Sequence, residues 1–526
     1  MKTVKSKSLE HIESNTAYHG CAFFLDDKPV KLQNNVFDNC SFRTDLHLGV
    51  GEITKDTFTN CNFSREVALL WRAQYILYSE SAPELLDVQF LPFITKLEVG
   101  GSNITELPKG MERLRSLKEL SLCYTRVKQL PEEVYNLPKL TKLNLFHSFF
   151  SELPAEIAKL TSLTTLSLTG CPMWELPKEF VQLTSLTHLS LPHFIEEVPS
   201  EISKLSRLTC LNASNTQITD LPTEITQLRS LTKLELHNSK IEELPKEVYE
   251  LKSLTHLDVS KTPISKLKKE IRQLSSLKNL NLRSTKIKKL PKEVYELKSL
   301  THLDVSNTLL TKLAKGIGQL TFLEDLDLRL TKITKLPKEI GYLKALTQLR
   351  LENTEIKKLP KEIGQLSSLQ NLDLHNRKIN ELPQEIGQLT SLNQLNLSNT
   401  QITSVPKEIG QLSRLSVLNL SHTGITKLPK EIGQLIHLTE LNLCHTAIEK
   451  LPKEIGKLTA LKALYLANTP IEELPQELEN LSSLHYLDLS YTELTEYPRQ
   501  IEKLPILRLE LPPKLKNKRK KNEGTV

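Results

Sequence analysis

The sequence predicts an α/β solenoid: a right-handed horseshoe with one parallel concave sheet and short convex helices, preceded by a small β-rich cap and a helix. Three observations predict it. First, an apolar frame recurs every 23 residues, beginning at Ile94 and then at Leu117, Leu140, Leu163, Leu186, Leu208 and on to Leu484, with one 22-residue step from Leu186 to Leu208. A fixed period of this size marks stacked supersecondary units, each touching only its neighbours. Second, each unit places two apolar residues two apart, as in a half-buried strand, and sixteen of the eighteen, all but those with Lys268 and Ala314, then carry a Pro that cannot extend a ladder. Third, 25% charged and 39% apolar residues describe a folded chain, and no apolar run reaches the roughly 18 residues of a membrane span.

Residues 1–63 have another rhythm. A Cys-x-Phe triplet occurs at Cys21, Cys40 and Cys61, the last two inside FDNCSF and FTNCNF. The β-prone, Asn-rich surroundings suggest a few coils of a parallel β-helix with Phe and Cys turned inward, the cysteines acting as small apolar residues. Paired C-x-x-C spacings are absent, so no metal is expected there. Over residues 64–93, SREVALLWRAQYILYS carries an apolar stripe through Val67, Leu70, Trp71 and Ile76 with Ser64 as N-cap. It predicts a helix that docks on the open end of the first repeat.

Residues 94–505 hold eighteen repeats. Numbered from the first Leu, positions 1, 4, 6, 11, 14, 18 and 21 are apolar; from Leu346 these are Leu346, Leu349, Leu351, Ile356, Leu359, Ile363 and Leu366. Gln348, Arg350 and Glu352 point to the opposite side of the strand from Leu349 and Leu351. Pro360 suits the start of a helical turn, and the following KEIGQL predicts a short helix or 3-10 turn burying Ile363 and Leu366. Position 9 is Thr in twelve repeats and Ser in three, which predicts a ladder of hydroxyls bonded to backbone from Thr216 to Thr492, broken at Arg377. In residues 506–526, Ile506, Leu509 and Leu511 make a last strand, Pro512 and Pro513 stop it, and six basic residues follow from Lys514 to Lys521.

The pattern L-x-x-L-x-L-x-x-T-x-I-x-x-L-P-x-E-I-x-x-L-x-x, nearly pure in LSVLNLSHTGITKLPKEIGQLIH from Leu415, resembles the 23-residue leucine-rich repeats of intracellular proteins. It is similar to the Ras-pathway scaffold class, its plant intracellular relatives and plant disease-resistance repeat regions. The resemblance implies a partner read by variable positions on the concave face. Departures narrow it. No G-x-x-x-x-G-K-[ST] occurs, against an NTPase switch. The nearest string to the scaffold's phosphatase-docking motif, Asp87-Val88-Gln89-Phe90, has the wrong charge, and the residues after the last repeat are too few for an effector's ubiquitin-ligase domain.

Candidate binding residues lie at positions 3, 5, 7 and 8, which vary within the constant frame. These hold seven basic and eleven acidic residues in a chain of net charge +7. Asp258, Asp304, Asp327 and Arg350 therefore suggest either a partner with a basic segment or a solubilising Asp/Asn ladder, with like charges on neighbouring strands mildly destabilising. Nine of the 14 histidines fall on the same positions, which raises a pH-dependent binder against simple polar drift. A metal at His422, Cys444 and His445 is not expected, because adjacent side chains at a turn diverge. The irregular repeats from Leu117 to Arg207 hold aromatic candidates: Tyr124, Phe146, His147, Phe149, Trp174 and His193, with Phe194 beside them. Aromatic anchors concentrate interface energy, so this cluster is the expected hot spot; Tyr465, Tyr486 and Tyr491 form a smaller second one.

No nucleophile motif, zinc signature or phosphate loop occurs, so the chain is expected to be no enzyme and to need no cofactor. It is expected to bind a protein partner and no small-molecule substrate or nucleic acid, and to have no membrane span. Seven cysteines, an odd number at long spacings, and an N-terminus without an apolar leader core suggest the cytoplasm. The leading expectation is a non-catalytic scaffold in intracellular signalling. A bacterial effector or toxin component with its activity in residues 1–93, or the recognition half of an immune-type sensor, remain open beside it.

Overall fold

The computed structural model describes residues 95–99, 104–107, 110–375 and 378–515, and within residues 1–94 the backbone of eleven short strands. The chain divides into two units, Met1–Leu254 and Thr255–Val526.

In the first unit one parallel sheet runs through Lys2–Lys5, Thr16–His19, Val36–Asp38, Thr57–Thr59, Tyr75–Tyr78 and Lys96–Val99, and then strand by strand to Lys233–Glu235. A second parallel sheet joins Ser8–Leu9, Ala22–Phe24, Ser41–Arg43 and Asn62–Phe63, and a third pairs Leu32–Gln33 with Ile53–Thr54. The early chain thus coils, visiting the sheets in turn. The phenylalanines of the Cys-x-Phe triplets fall in register, with Phe23 opposite Phe42 and Phe42 opposite Phe63; Cys21, Cys40 and Cys61 lie outside the described residues.

The helix expected from Ser64 is corrected at its C-terminal end. Tyr75–Tyr78 is a strand, paired with Thr57–Thr59 on one side and Lys96–Val99 on the other. Two strand edges in need of partners outweigh the helical periodicity of a segment whose Tyr-Ile-Leu-Tyr composition also favours strand. Residues 64–74, including Val67, Leu70 and Trp71, lie outside the described residues.

Each repeat folds by the same local logic. The strand is three residues, such as Gln348–Arg350, and its parallel ladder is extended beyond both ends. The amides of positions 2 and 3 both donate to the preceding repeat's position-2 carbonyl, as Thr347 and Gln348 do to Glu324 at 2.9 and 3.0 Å. Apolar positions point into the repeat, and all seven in the Leu346 unit are buried. The turn after Pro360 is a 3-10 helix, Lys361–Gln365, with Ile363 and Gly364 buried. Lys268 and Ala314 replace that Pro yet keep its extended backbone, φ −77° and −79° against −69°. Stacking therefore sets this turn, and Pro only narrows the unfolded chain.

The second unit repeats this pattern from His256–Asp258 to Arg508–Glu510, every neighbouring pair parallel. Seven of its convex turns, from Gly318 to Gly456, approach the next turn closely because position 19 is Gly there. A Cβ on Gly387 would lie 2.4 Å from the Glu408 carbonyl oxygen of the next turn.

The position-9 ladder is present, with an unexpected gap at Ser239, whose buried hydroxyl has no hydrogen-bond partner among the described residues. Thr216, Thr262, Thr308, Thr400 and Thr469 are buried, and each hydroxyl donates to the position-6 carbonyl of its own repeat at 2.6–2.7 Å. Arg377 lies outside the described residues. The expected last strand forms at Arg508–Glu510.

Candidate functional site

The face of each sheet opposite the core carries positions 3, 5 and 7, with position 8 just beyond. Two of these four positions build the turn. At position 5, eleven Asp or Asn side chains accept the amide of position 7 in their own repeat, among them Asp258 to Ser260, Asp304 to Ser306 and Asp327 to Arg329 at 2.8–3.0 Å. This is the Asx turn that ends a strand. At position 8 the backbone enters the left-handed region. Among the described residues all fourteen non-glycine residues with positive φ occupy that position, at φ 52–59°, and Gly170 does so at 81°. Eleven of them continue the ladder by one further bond, as Leu330 N–H does to Glu352 O at 2.9 Å. The abundance of Asp/Asn at position 5 and of Asn at position 8 was the signal for this turn, since those residues favour αL and side-chain turns.

The position-5 acids therefore have local work before any partner arrives. Asp304 and Asp327 oppose each other on neighbouring strands. Burial, with Asp327 adding to it, raises the Asp304 pKa above the usual carboxylate value, while hydrogen bonds from Ser306 and the Arg283 charge act against the rise. Asp327 is only 3% exposed and is held by Arg329, whose Nε and Nη2 lie 2.9 and 2.5 Å from Asp327 Oδ2. Arg329 also lies 3.7 Å from Glu352. Arg350 bonds Asp325 at 2.6 Å, approaches Asp327 at 3.9 Å and contacts Gln348. Alternating charges thus neutralise one another across these strands. Asp258 belongs to the other end of the row, where Asn281 bonds it at 2.9 Å.

In the first unit the aromatic candidates form two groups. Tyr124 stacks on His147 with ring centroids 5.3 Å apart and planes at 3°, and Phe146 meets both edge-on. The His147 ring covers Gly170 so closely that a Cβ there would lie 2.5 Å from Nδ1. Trp174 stacks on Phe194 at 4.9 Å, with His193 against the edge of Phe194. Tyr124 and Trp174 are 59% and 62% exposed, so these rings are presented to solvent despite their stacking. Phe149 is exposed as well, but it has no ring contact with either group among those described.

Metal chemistry gains little from the geometry. His422 and His445 stack face to face at 4.1 Å, so their lone pairs run parallel instead of converging. Among the described residues one group, Glu352, Asp373 and His375, gathers its donor atoms within 4.8 Å. The Arg329 guanidinium beside Glu352 already supplies the positive charge there. No helix among the described residues is long and apolar enough to cross a membrane.

The model of a leucine-rich repeat region matches residues 140–213, 199–262, 254–329, 337–398, 392–461 and 430–511. No curated protein sequence matches the chain. Among solved structures, a leucine-rich-repeat protein of Leptospira interrogans is 37% identical, with 74% of this chain and 99% of that one covered and a TM-score of 0.67. The plant peptide hormone receptor RGFR1, solved with RGF2, is 21% identical with a TM-score of 0.58, covering 97% and 92% of the two chains. The Arabidopsis receptor kinase HAESA, solved with the peptide hormone IDA and the co-receptor SERK1, is 23% identical with a TM-score of 0.54 over 87% of each chain. The latter two share the fold; the family match and the Leptospira protein establish that the chain belongs to the leucine-rich-repeat family.

Proposed function

We propose that the protein is a non-catalytic scaffold that grips a partner protein on the outer face of its parallel sheet, in intracellular signalling, with the first unit's aromatic residues as anchors. The observation that carries this reading is the exposure of stacked rings at Tyr124, His147 and Trp174. Solvent-facing aromatics of this size, pre-ordered by stacking, lose little side-chain entropy on binding. The excess of acidic residues on the same face supports a basic segment in the partner, with part of that charge committed to turns and internal ion pairs.

The test uses the full chain. A partner captured on it is identified, and its affinity is measured for wild type and for Tyr124→Ala/Trp174→Ala. A loss of more than about tenfold is expected, with an unchanged melting curve. Equal affinity in the two proteins overturns the anchor assignment, and equal affinity at low and high salt removes the basic segment.

A further inference from the structure

Four consecutive strands at the end of the second unit, Glu440–Asn442, Ala463–Tyr465, Tyr486–Asp488 and Arg508–Glu510, make a surface unlike the rest of that sheet. Register places Ala463 between Glu440 and Tyr486, and Tyr465 between Asn442 and Asp488. Ala463 and Ala467 flank Tyr465 along its own chain and end at Cβ, so the surface is low on both sides of that ring. The Tyr465 and Tyr486 rings stand 5.0 Å apart with planes at 44°. The Arg508 guanidinium lies over the Tyr486 ring, 5.3 Å from its centroid, with Nε 3.4 Å from Glu510. Both phenols are raised in pKa chiefly by burial, with Glu440 and Asp488 adding to it at Tyr465 and Asp488 and Glu510 at Tyr486.

Two π faces, three carboxylates and a single arginine make this corner attractive to positive charge. Arg508 shows the mode already in use, with a guanidinium stacked on a ring and paired with an acid. An apolar side chain seated over Ala463 would strip water from Glu440 and leave it uncompensated, whereas a cation would pair with it. Resting on the reading that the outer face receives a protein, we propose that this corner is a cation subsite. It takes one arginine or lysine side chain from an extended basic segment of the partner, held over Ala463 between the Glu440 carboxylate and the rings of Tyr465 and Tyr486.

The experiment is fluorescence anisotropy of a labelled hexa-arginine peptide with the full chain at low ionic strength, using hexa-glutamate as the opposite charge. Saturable binding of hexa-arginine alone is expected. Tyr465→Ala/Tyr486→Ala should weaken it about tenfold, Tyr465→Phe/Tyr486→Phe should stay within about twofold because the π faces remain, and Glu440→Gln should weaken it about threefold. Glu235→Gln, in the other unit, should change nothing. Thermal melts of each variant separate lost binding from lost folding. Absence of saturable binding, or an alanine double variant equal to wild type, overturns the subsite; so does a phenylalanine pair as weak as the alanine pair. Tyr124→Ala/Trp174→Ala is expected to bind hexa-arginine normally. A partner lost by that variant, from a chain that shows no hexa-arginine binding, would overturn the subsite while leaving the scaffold reading in place.

Discussion

Asn281 donates its side-chain amide to Asp258 Oδ2 across adjacent strands at 2.9 Å, while Asp258 Oδ1 accepts the Ser260 amide at 2.8 Å. One carboxylate thus ends its own strand and ties it to the next. The placing of Asn281 between Asp258 and Asp304 at position 5 follows the same logic, because an amide can sit beside carboxylates that would push each other apart. Asn396 and Asp373 repeat the arrangement at 3.3 Å.

Where two carboxylates face each other instead, replacing one by an amide should relieve them. Asp304 faces Asp327 and its folded pKa is raised, with burial as the main cause. A carboxyl whose folded pKa exceeds its unfolded value weakens the fold above that folded pKa, and the penalty fades as pH falls through it toward the unfolded value. Asp304→Asn keeps an acceptor for the Ser306 amide and should stabilise by about 0.5–1 kcal/mol at neutral pH. Urea melts at neutral and mildly acidic pH should show that gain shrinking with acid. A variant weaker than wild type at neutral pH would count against this account.

Arg329 is the counter-charge of a nearly buried Asp327. Arg329→Ala removes that charge and should cost about 2 kcal/mol, less than for a fully buried pair because the guanidinium is partly solvated and Arg350 remains 3.9 Å away. Adding Asp327→Asn to Arg329→Ala should recover part of the loss, since the unpaired charge then disappears. Chemical denaturation of the two singles and the double decides it; simple additivity would mean that the ion pair contributes nothing.

Leu330 holds φ 57° in the position-8 turn with its side chain about half exposed. A branched apolar residue is poorly suited to αL, where Asn is tolerated. Leu330→Asn should therefore raise stability by about 0.5–1 kcal/mol, and Leu330→Val should lower it. Comparison of the three melting temperatures tests the order, which would be reversed if Leu330 mattered mainly through packing.

Gly387 is needed for the close approach of successive convex turns. Gly387→Ala would drive a Cβ into the Glu408 carbonyl, at a cost of about 1–3 kcal/mol that propensity alone would have turned into a gain. Gly424, where the nearest atom to an added Cβ is 3.3 Å away, should tolerate alanine far better. Parallel denaturation curves distinguish the two sites.

The sequence alone determined the period, the strand with its alternating faces, the turn after Pro360 and the buried hydroxyl of position 9. Each depends on contacts within one repeat or with an identical neighbour, and a fixed repeat length carries that information without long-range folding. It also singled out Tyr124, His147, Trp174, Asp327 and Arg350. Tertiary structure decided what those residues do, because two chains of atoms 23 residues apart in sequence meet only once stacked. Stacking put the Tyr124 ring on His147, brought Arg350 to Asp325 and turned Tyr75–Tyr78 from an apparent helix into a strand between two open edges. It also showed that positions 5 and 8, whose variability looked like recognition, first have to turn the backbone. Any amide left unpaired beside a neighbouring strand is costly, and that requirement comes from the stack and not from the single repeat.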